Sequence, residues 1–244
     1  SPTTPPRRSR PSARRSSSSR SIRVDAHRRP VGWPRETEAR LAAGARPGAA
    51  GKRRMKRRAV VTGLGVVTPL GRRLESVWER LVRGESGVGP ISLFDVSGYR
   101  VQFGGQVPWE PEREDIAGPK EIKRLDRFTQ FAIAAAKDAV ADSGLDFSRE
   151  EPYRCGVVIG SGIGGLWEFE VQEERLLHKG IDKVSPFTIP KLMVNSASGH
   201  VSALFGAKGP NFAVATACAS AANSIGSALR AIQYGDADVM VTGA

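Results

Sequence analysis

Cysteine is the residue in this sequence whose chemistry and position together could support a covalent reaction. Cys218 sits in Thr216-Ala217-Cys218-Ala219-Ser220, where the local pattern changes. Before it, Phe212-Ala213-Val214-Ala215-Thr216 reads as a short β-rich run. After it, Ala222, Ile225, Leu229 and Ile232 recur at i, i+3, i+7 and i+10, which is helical spacing. The thiol therefore falls at a helix N-terminus, facing unpaired backbone N–H groups and the positive end of the dipole. Both favour the thiolate, the form that attacks an electrophilic carbon. The neighbours Ala217, Ala219, Ser220, Ala221 and Ala222 are small, so the chain can turn sharply and leave room for a substrate. The same N–H groups could cradle an oxyanion. Position alone leaves a second reading open, that of an inert buried cysteine.

Other chemical groups are sparse. Cys155 opens an apolar run, residues 155–159, that reads as a buried strand. Two cysteines make no disulfide framework, and a reducing compartment suits them. His200 is the histidine nearest the Cys218 segment and could form a Cys–His pair, but it reads better as a packing or hydrogen-bonding side chain. His27 and His178 carry no signal, and no cluster has metal-ligand spacing. Gly160-Ser161-Gly162-Ile163-Gly164-Gly165 follows a strand, where glycines admit close backbone approach, but it lacks the Lys-Ser/Thr of a phosphate loop. Thr62-Gly63-Leu64-Gly65 lacks the third glycine and the distal acid of a dinucleotide fingerprint.

The elements that must position Cys218 follow from periodicity. Residues 59–67 read as a buried strand, residues 86–99 as loop, and residues 101–107 as a short edge strand. Leu74, Val77, Trp78, Leu81 and Val82 form an amphipathic helix closed by Gly84. Residues 120–127 lead into a long helix, with Phe128, Ala132, Ala135, Ala136, Ala139 and Val140 on one face and Gly144 as its stop. Residues 166–177 read as helix. Residues 185–190 break the chain, with Pro190 at a first helical position. Met193, Ala197, His200 (or Val201) and Leu204 mark a further helix capped by Gly206. Gly235 closes the Cys218 helix, and residues 239–242 form a second buried run. Strands alternating with helices predict an α/β fold with a mostly parallel sheet.

The net charge of +12 is a property of one end. Residues 1–58 hold 18 of the 37 Lys and Arg but only 3 of the 25 acids, so the remainder is slightly acidic. Residues 1–54 are rich in Arg, Ser, Pro and Ala and are expected to be disordered. Three origins fit them: upstream sequence ahead of a true start at Met55, an organelle transit peptide, or a nucleic-acid-binding arm. The first is favoured. No apolar run is long enough to cross a bilayer, so a membrane function is not expected, and a nucleic-acid function, which would rest on the basic tail alone, is not expected either.

The Cys218 pentapeptide, its helix and Tyr234-Gly235-Asp236-Ala237-Asp238-Val239-Met240-Val241-Thr242-Gly243 together resemble the active-site segment of the β-ketoacyl-acyl carrier protein synthases. These are the condensing enzymes of fatty acid synthesis, and the likeness is to the type II elongating form. Val60-Val61-Thr62-Gly63-Leu64-Gly65 and the Thr68-Pro69-Leu70-Gly71 loop resemble the first strand and loop of that family, and the match runs from about residue 56 to residue 244. The resemblance implies the N-terminal half of a thiolase-like fold, a mostly parallel mixed sheet flanked by helices, preceded by the basic extension 1–54. It makes Cys218 the acyl-thioester nucleophile, places Ile163 at the base of the acyl pocket, and makes Lys120, Lys123 and Arg124 the dock for an acidic acyl carrier protein. No cofactor is implied, since substrates ride on the carrier's phosphopantetheine. A homodimer is implied, with residues 211–217 pairing with their mate across the two-fold axis.

The family's two catalytic histidines, its lysine and its phenylalanine gate belong to a second half, expected after residue 244, so the chain by itself is expected to be inactive. The expected location is the cytoplasm, or a plastid or mitochondrion if residues 1–54 are a transit peptide. The rival readings are a polyketide ketosynthase domain, a non-catalytic partner subunit of this fold, and a thiolase. Cys218 argues against the partner subunit, and the two glycine- and cysteine-bearing motifs argue against the thiolase.

Overall fold

The computed structural model describes residues 57–108, 116 and 119–244, with 119 and 120 described by their backbone alone. The extension expected to be disordered, residues 1–54, lies outside them. The described elements belong to one unit, Met55–Ala244. In chain order they are α1 (Leu74–Val82), β1 (Val88–Pro90), β2 (Phe103–Gly105), α2 (Pro119–Ile122), α3 (Arg127–Ser143), β3 (Cys155–Ile159), α4 (Leu166–Lys179), α5 (Thr188–Leu192), α6 (Ser196–Phe205), β4 (Asn211–Phe212), α7 (Ser220–Tyr234) and β5 (Val239–Gly243). Short 3-10 turns at Phe147–Arg149, Pro152–Arg154, Ile181–Lys183 and Ala217–Ala219 connect them.

The sheet is built around β3. Its five residues are all buried, as an unbroken apolar run requires when both faces of a strand are covered. It pairs in parallel with β4 on one side and β5 on the other, Val157 opposite Asn211 and Cys155 opposite Val239. Cys155, Val157 and Ile159 join a core with Ile133 and Ala136 of α3 and Ala197 and Val201 of α6. The alternate residues Gly156 and Val158 face the other way. On that side α7 packs against β3 and β5. The result is a parallel sheet between two helical layers, as the alternation of elements predicts.

Local chemistry fixes the ends. Asp126 caps α3 by accepting the N–H of Phe128 at 3.2 Å. Gly144 and Gly235 close α3 and α7 at φ of 66° and 85°, a conformation that favours glycine. The Arg154 guanidinium grips Asp238 in a two-pronged pair at 2.8 and 2.9 Å, tying the start of β3 to the start of β5. Arg57 reaches the same carboxylate. The two guanidiniums, Arg154 foremost, hold the Asp238 carboxyl well below the usual carboxylate range.

Several expectations are corrected. Residues 59–67 form no strand, and Val60 and Val61 are exposed. The segment lies against α3 instead: a β-carbon at Gly63 would fall 2.1 Å from the Ala139 carbonyl oxygen, and the Leu64 N–H is taken by Asp142 at 2.9 Å. A backbone held that way is not available for a ladder. The stretch read as loop contains β1, which pairs antiparallel with β2, and β2 is shorter than the run 101–107. Pro190 is the third residue of α5, still within the first turn, where a missing N–H is not needed. β4 is the two residues Asn211–Phe212 and so takes in only the first residue of the run 212–216; the remainder leads to Cys218, Val214 accepting the Ser161 N–H at 3.1 Å. β5 is half-buried, being one of the two outer strands of the sheet. α3 buries Thr129, Ile133, Ala134 and Ala136 rather than the whole line from Phe128 to Val140.

The largest correction concerns α7. Its buried stripe is Ser220, Ser224, Ala228 and Ala231, while Ile225 and Leu229 are exposed. Small residues let this helix lie close to the sheet.

Candidate active site

The three parallel strands end at the same place. After β3 the chain runs into Gly160-Ser161-Gly162, after β4 into Ala217–Ala219, and after β5 into Ala244. The Gly160 N–H donates to the Gly243 carbonyl at 2.9 Å, and the Ser161 N–H to Val214, which locks the three strand ends together. The carboxyl edge of a parallel sheet is where ligand crevices form in α/β folds. Here it opens into a cleft of about 490 Å³, walled by Phe128 and Phe131 of α3, by Gly160 and Gly162, and by Cys218.

Cys218 is an exposed free thiol in the 3-10 turn that runs into α7. The turn is tight: Ala217 has φ of 50°, the left-handed region that non-glycine residues seldom adopt, and it is the sole non-glycine with positive φ among the described residues. Four hydrogen bonds hold it. The Ala219 N–H donates to the Thr216 carbonyl at 3.0 Å. The Ser220 hydroxyl accepts the Thr216 N–H at 3.0 Å and donates to the Ala217 carbonyl at 2.8 Å. The Asn223 amide donates to the Thr216 hydroxyl at 2.8 Å. Gly162 lines the cleft beside the turn, where a β-carbon would lie 3.6 Å from Ala217 Cα.

Cys155 is the contrasting thiol. It is buried in β3, and burial raises its pKa, with Glu150, Asp238 and Glu151 adding to the effect. It is therefore held in the neutral, unreactive form. Only Cys218 combines access with the turn and the cleft.

The other candidate residues are not all gathered here. Ile163 directly follows Gly162, but its side chain is 64% exposed and lies outside the cleft wall. Lys123 and Arg124 are exposed in the turn between α2 and α3, with the Arg124 guanidinium stacked 4.8 Å above the Phe187 ring. The side chain of Lys120 lies outside the described residues. The chain that carries these cations continues through Asp126 into Phe128, which lines the cleft. His200 sits on the exposed side of α6 and does not line the cleft, so no Cys–His pair forms. Among the described residues no group of His, Cys, Asp and Glu could hold a metal ion, and no helix is long and apolar enough to cross a membrane.

Two features were missed in the sequence. One is the set Thr216, Ser220 and Asn223; its signal was a pair of hydroxyls four residues apart that bracket the cysteine. The other is a buried polar cluster between α4 and α5. Glu168 is paired with Lys191 and accepts from Gln172, whose own oxygen accepts the Ser185 N–H at 2.8 Å. Asp126 stands beside them, its pKa raised by burial against the lowering effect of the Phe128 and Glu168 N–H groups. No sequence period marks such a cluster.

Known proteins place this geometry. The family model of the β-ketoacyl synthase N-terminal domain matches residues 56–244. The 3-oxoacyl-acyl-carrier-protein synthase 2 of Staphylococcus aureus (strain COL) is 45% identical over 187 residues, covering 77% of this chain and 45% of that protein. The protein of the same name from Vibrio cholerae serotype O1 is 44% identical over 188 residues, with the same two shares. Among solved structures, the ishigamide ketosynthase/chain length factor superposes with a TM-score of 0.70 at 28% identity, covering 76% of this chain and 46% of that one. The chain thus spans about half the length of the curated relatives it matches. From residue 56 to residue 244 the chain belongs to the β-ketoacyl synthase family, as its N-terminal domain.

Proposed function

We propose that the full-length protein is a 3-oxoacyl-acyl-carrier-protein synthase that lengthens acyl chains in fatty acid synthesis. The observation that carries this reading is the exposed Cys218 thiol, set on a strained turn at the mouth of an apolar-walled cleft. An acyl group arrives as a thioester on the phosphopantetheine arm of a carrier protein. The Cys218 sulfur attacks the carbonyl carbon and forms a new C–S bond. The tetrahedral intermediate collapses and expels the phosphopantetheine thiolate, which takes up a proton. A malonyl thioester then loses carbon dioxide, and the electron pair released attacks the acyl-enzyme carbonyl. Cys218 leaves as thiolate, and the product is a 3-oxoacyl thioester two carbons longer. No step needs a metal or a bound redox cofactor.

Family identity and surface chemistry support the partners. Lys120, Lys123 and Arg124 form the dock for an acidic carrier protein, and Ile163 reaches the acyl chain once the full-length protein is assembled. The full-length protein is a homodimer in this reading. The outer edge of β4, unpaired among the described residues, and the exposed Leu166, Trp167, Phe169 and Leu177 of α4 support that. Residues 1–54 are an extension in front of the synthase domain, residues 55–244. The site of action is the cytoplasm, where free thiols persist, or a plastid or mitochondrion if residues 1–54 direct import. Identity of 45% to a 3-oxoacyl-acyl-carrier-protein synthase 2 against 28% to the ketosynthase/chain length factor favours this reading over a polyketide one.

The test is a condensation assay with the full-length protein, a medium-chain acyl-carrier protein and malonyl-carrier protein. A 3-oxoacyl-carrier protein and one equivalent of carbon dioxide are expected. Carbon dioxide without chain extension, or no reaction, would refute the proposal.

A further inference from the structure

We infer that Ser220 is a positioning residue, a hydroxyl latch that holds the backbone turn presenting Cys218 to the cleft. The inference rests on the acyl-transfer reading above. Ala217 is kept in the left-handed region without being glycine, so something must oppose its relaxation. Ser220 is the group placed to do so. Its oxygen accepts the Thr216 N–H and its proton goes to the Ala217 carbonyl, so the hydroxyl bridges the two-residue turn at 3.0 and 2.8 Å. The side chain is 3% exposed, so water does not compete for either bond. It also lines the same cleft as Cys218, on the side facing Gly160. Asn223, exposed on the next turn of α7, steadies the arrangement from outside by donating to the Thr216 hydroxyl.

The consequence is specific. Both hydrogen bonds of the Ser220 hydroxyl go to the backbone of the turn, at Thr216 and Ala217, and not to the reacting sulfur. Removal of the hydroxyl leaves substrate affinity in place and lowers the fraction of time the thiol is correctly aimed, an effect on kcat rather than KM. A latch is also useful only where there is strain to resist. Replacing Ala217 by glycine removes the steric penalty of the positive φ, and the need for the hydroxyl shrinks with it.

The experiment measures acyl transfer from an acyl-pantetheine thioester to the full-length protein, with thermal melts as a check on folding. Four proteins form the cycle: wild type, Ser220→Ala, Ala217→Gly and the double variant. Ser220→Ala is expected to lower kcat about tenfold, with KM within about twofold, equivalent to about 1.4 kcal/mol of barrier. In the Ala217→Gly background the same change is expected to cost only about two- to threefold. Asn223→Ala, a change at an exposed side chain, tests the same latch if Ser220→Ala does not fold; it is expected to lower kcat about threefold at unchanged KM. Equal losses in both backgrounds, a loss confined to KM, or wild-type kcat in Ser220→Ala or Asn223→Ala would overturn the inference. A wild-type protein that takes no acyl group at Cys218 would instead overturn the function on which it rests.

Discussion

Gly160 is the position where a single methyl group should do most damage to both fold and site. A β-carbon there would lie 2.7 Å from the Val214 carbonyl oxygen, 2.9 Å from Ser220 Cβ and 2.9 Å from Ser224 Oγ. The Val214 carbonyl and Ser220 Cβ cannot swing aside, whereas the Ser224 hydroxyl can rotate. Val214 is held by the Ser161 N–H, and the two serines are buried on α7. Relief must come from α7 moving off β3. Overpacking of a tight interface costs about 1–3 kcal/mol, and two rigid contacts under 3 Å put Gly160→Ala in the upper part of that range, about 2–3 kcal/mol. Because Ser220 moves with α7, acyl transfer to Cys218 should fall at least about tenfold as well. Gly199→Ala is the matched control. Gly199 lies inside α6 with nothing within 4 Å of its missing side chain, so alanine there should stabilise by about 0.5–1 kcal/mol. The assay is urea unfolding of the full-length variants by intrinsic fluorescence, run beside the acyl-transfer rate. A Gly160→Ala protein within about 0.5 kcal/mol of wild type and equally active would refute the reasoning that the strand end is pressed against the nucleophile helix.

Two further predictions concern charge. Replacing Lys120, Lys123 and Arg124 together by glutamate in the full-length protein should weaken binding of an acidic carrier protein about tenfold or more at low salt. The difference should largely vanish near about 0.5 M salt, as measured by titration calorimetry. Asp126 separates capping from charge. Asp126→Ala removes the α3 cap and should cost about 1 kcal/mol, whereas Asp126→Asn keeps a capping oxygen. Burial raises the Asp126 pKa, so the folded state holds the proton more tightly than the unfolded one, and the charged form costs stability. Its contribution is therefore most favourable below the unfolded pKa of about 4 and declines as pH rises through the raised folded value. Asp126→Asn should gain on wild type over that same rise, in denaturation curves taken at several pH values; a gain on acidification instead would contradict the sign.

The sequence made some of this legible and concealed the rest for identifiable reasons. β3 was readable because a strand covered on both faces carries an unbroken apolar run, and Cys155–Ile159 is one. The ends of α3 and α7 were readable because Gly144 and Gly235 occupy conformations that other residues avoid. Cys218 was readable because a change from period 2 to period 3.6 falls on a thiol. The orientation of α7 was not. Ile225 and Leu229 mark where the apolar side chains are, but the start of the helix lies so close to Gly160 that small residues, Ser220, Ser224, Ala228 and Ala231, form its buried stripe. Apolar periodicity records what could be buried; close packing decides what is. The run 59–67 misled in the same way, since its glycines serve helix contact and not a ladder.

The account turns on the sulfur of residue 218 forming a covalent thioester, and mass spectrometry of the intact acyl-enzyme tests that most directly. Full-length protein is mixed with an acyl-pantetheine thioester, quenched in acid and digested. The expected result is one acyl mass increment on the peptide containing Cys218, none on the Cys155 peptide, and none anywhere in Cys218→Ser. An increment on Cys155, or one that persists in Cys218→Ser, would contradict it.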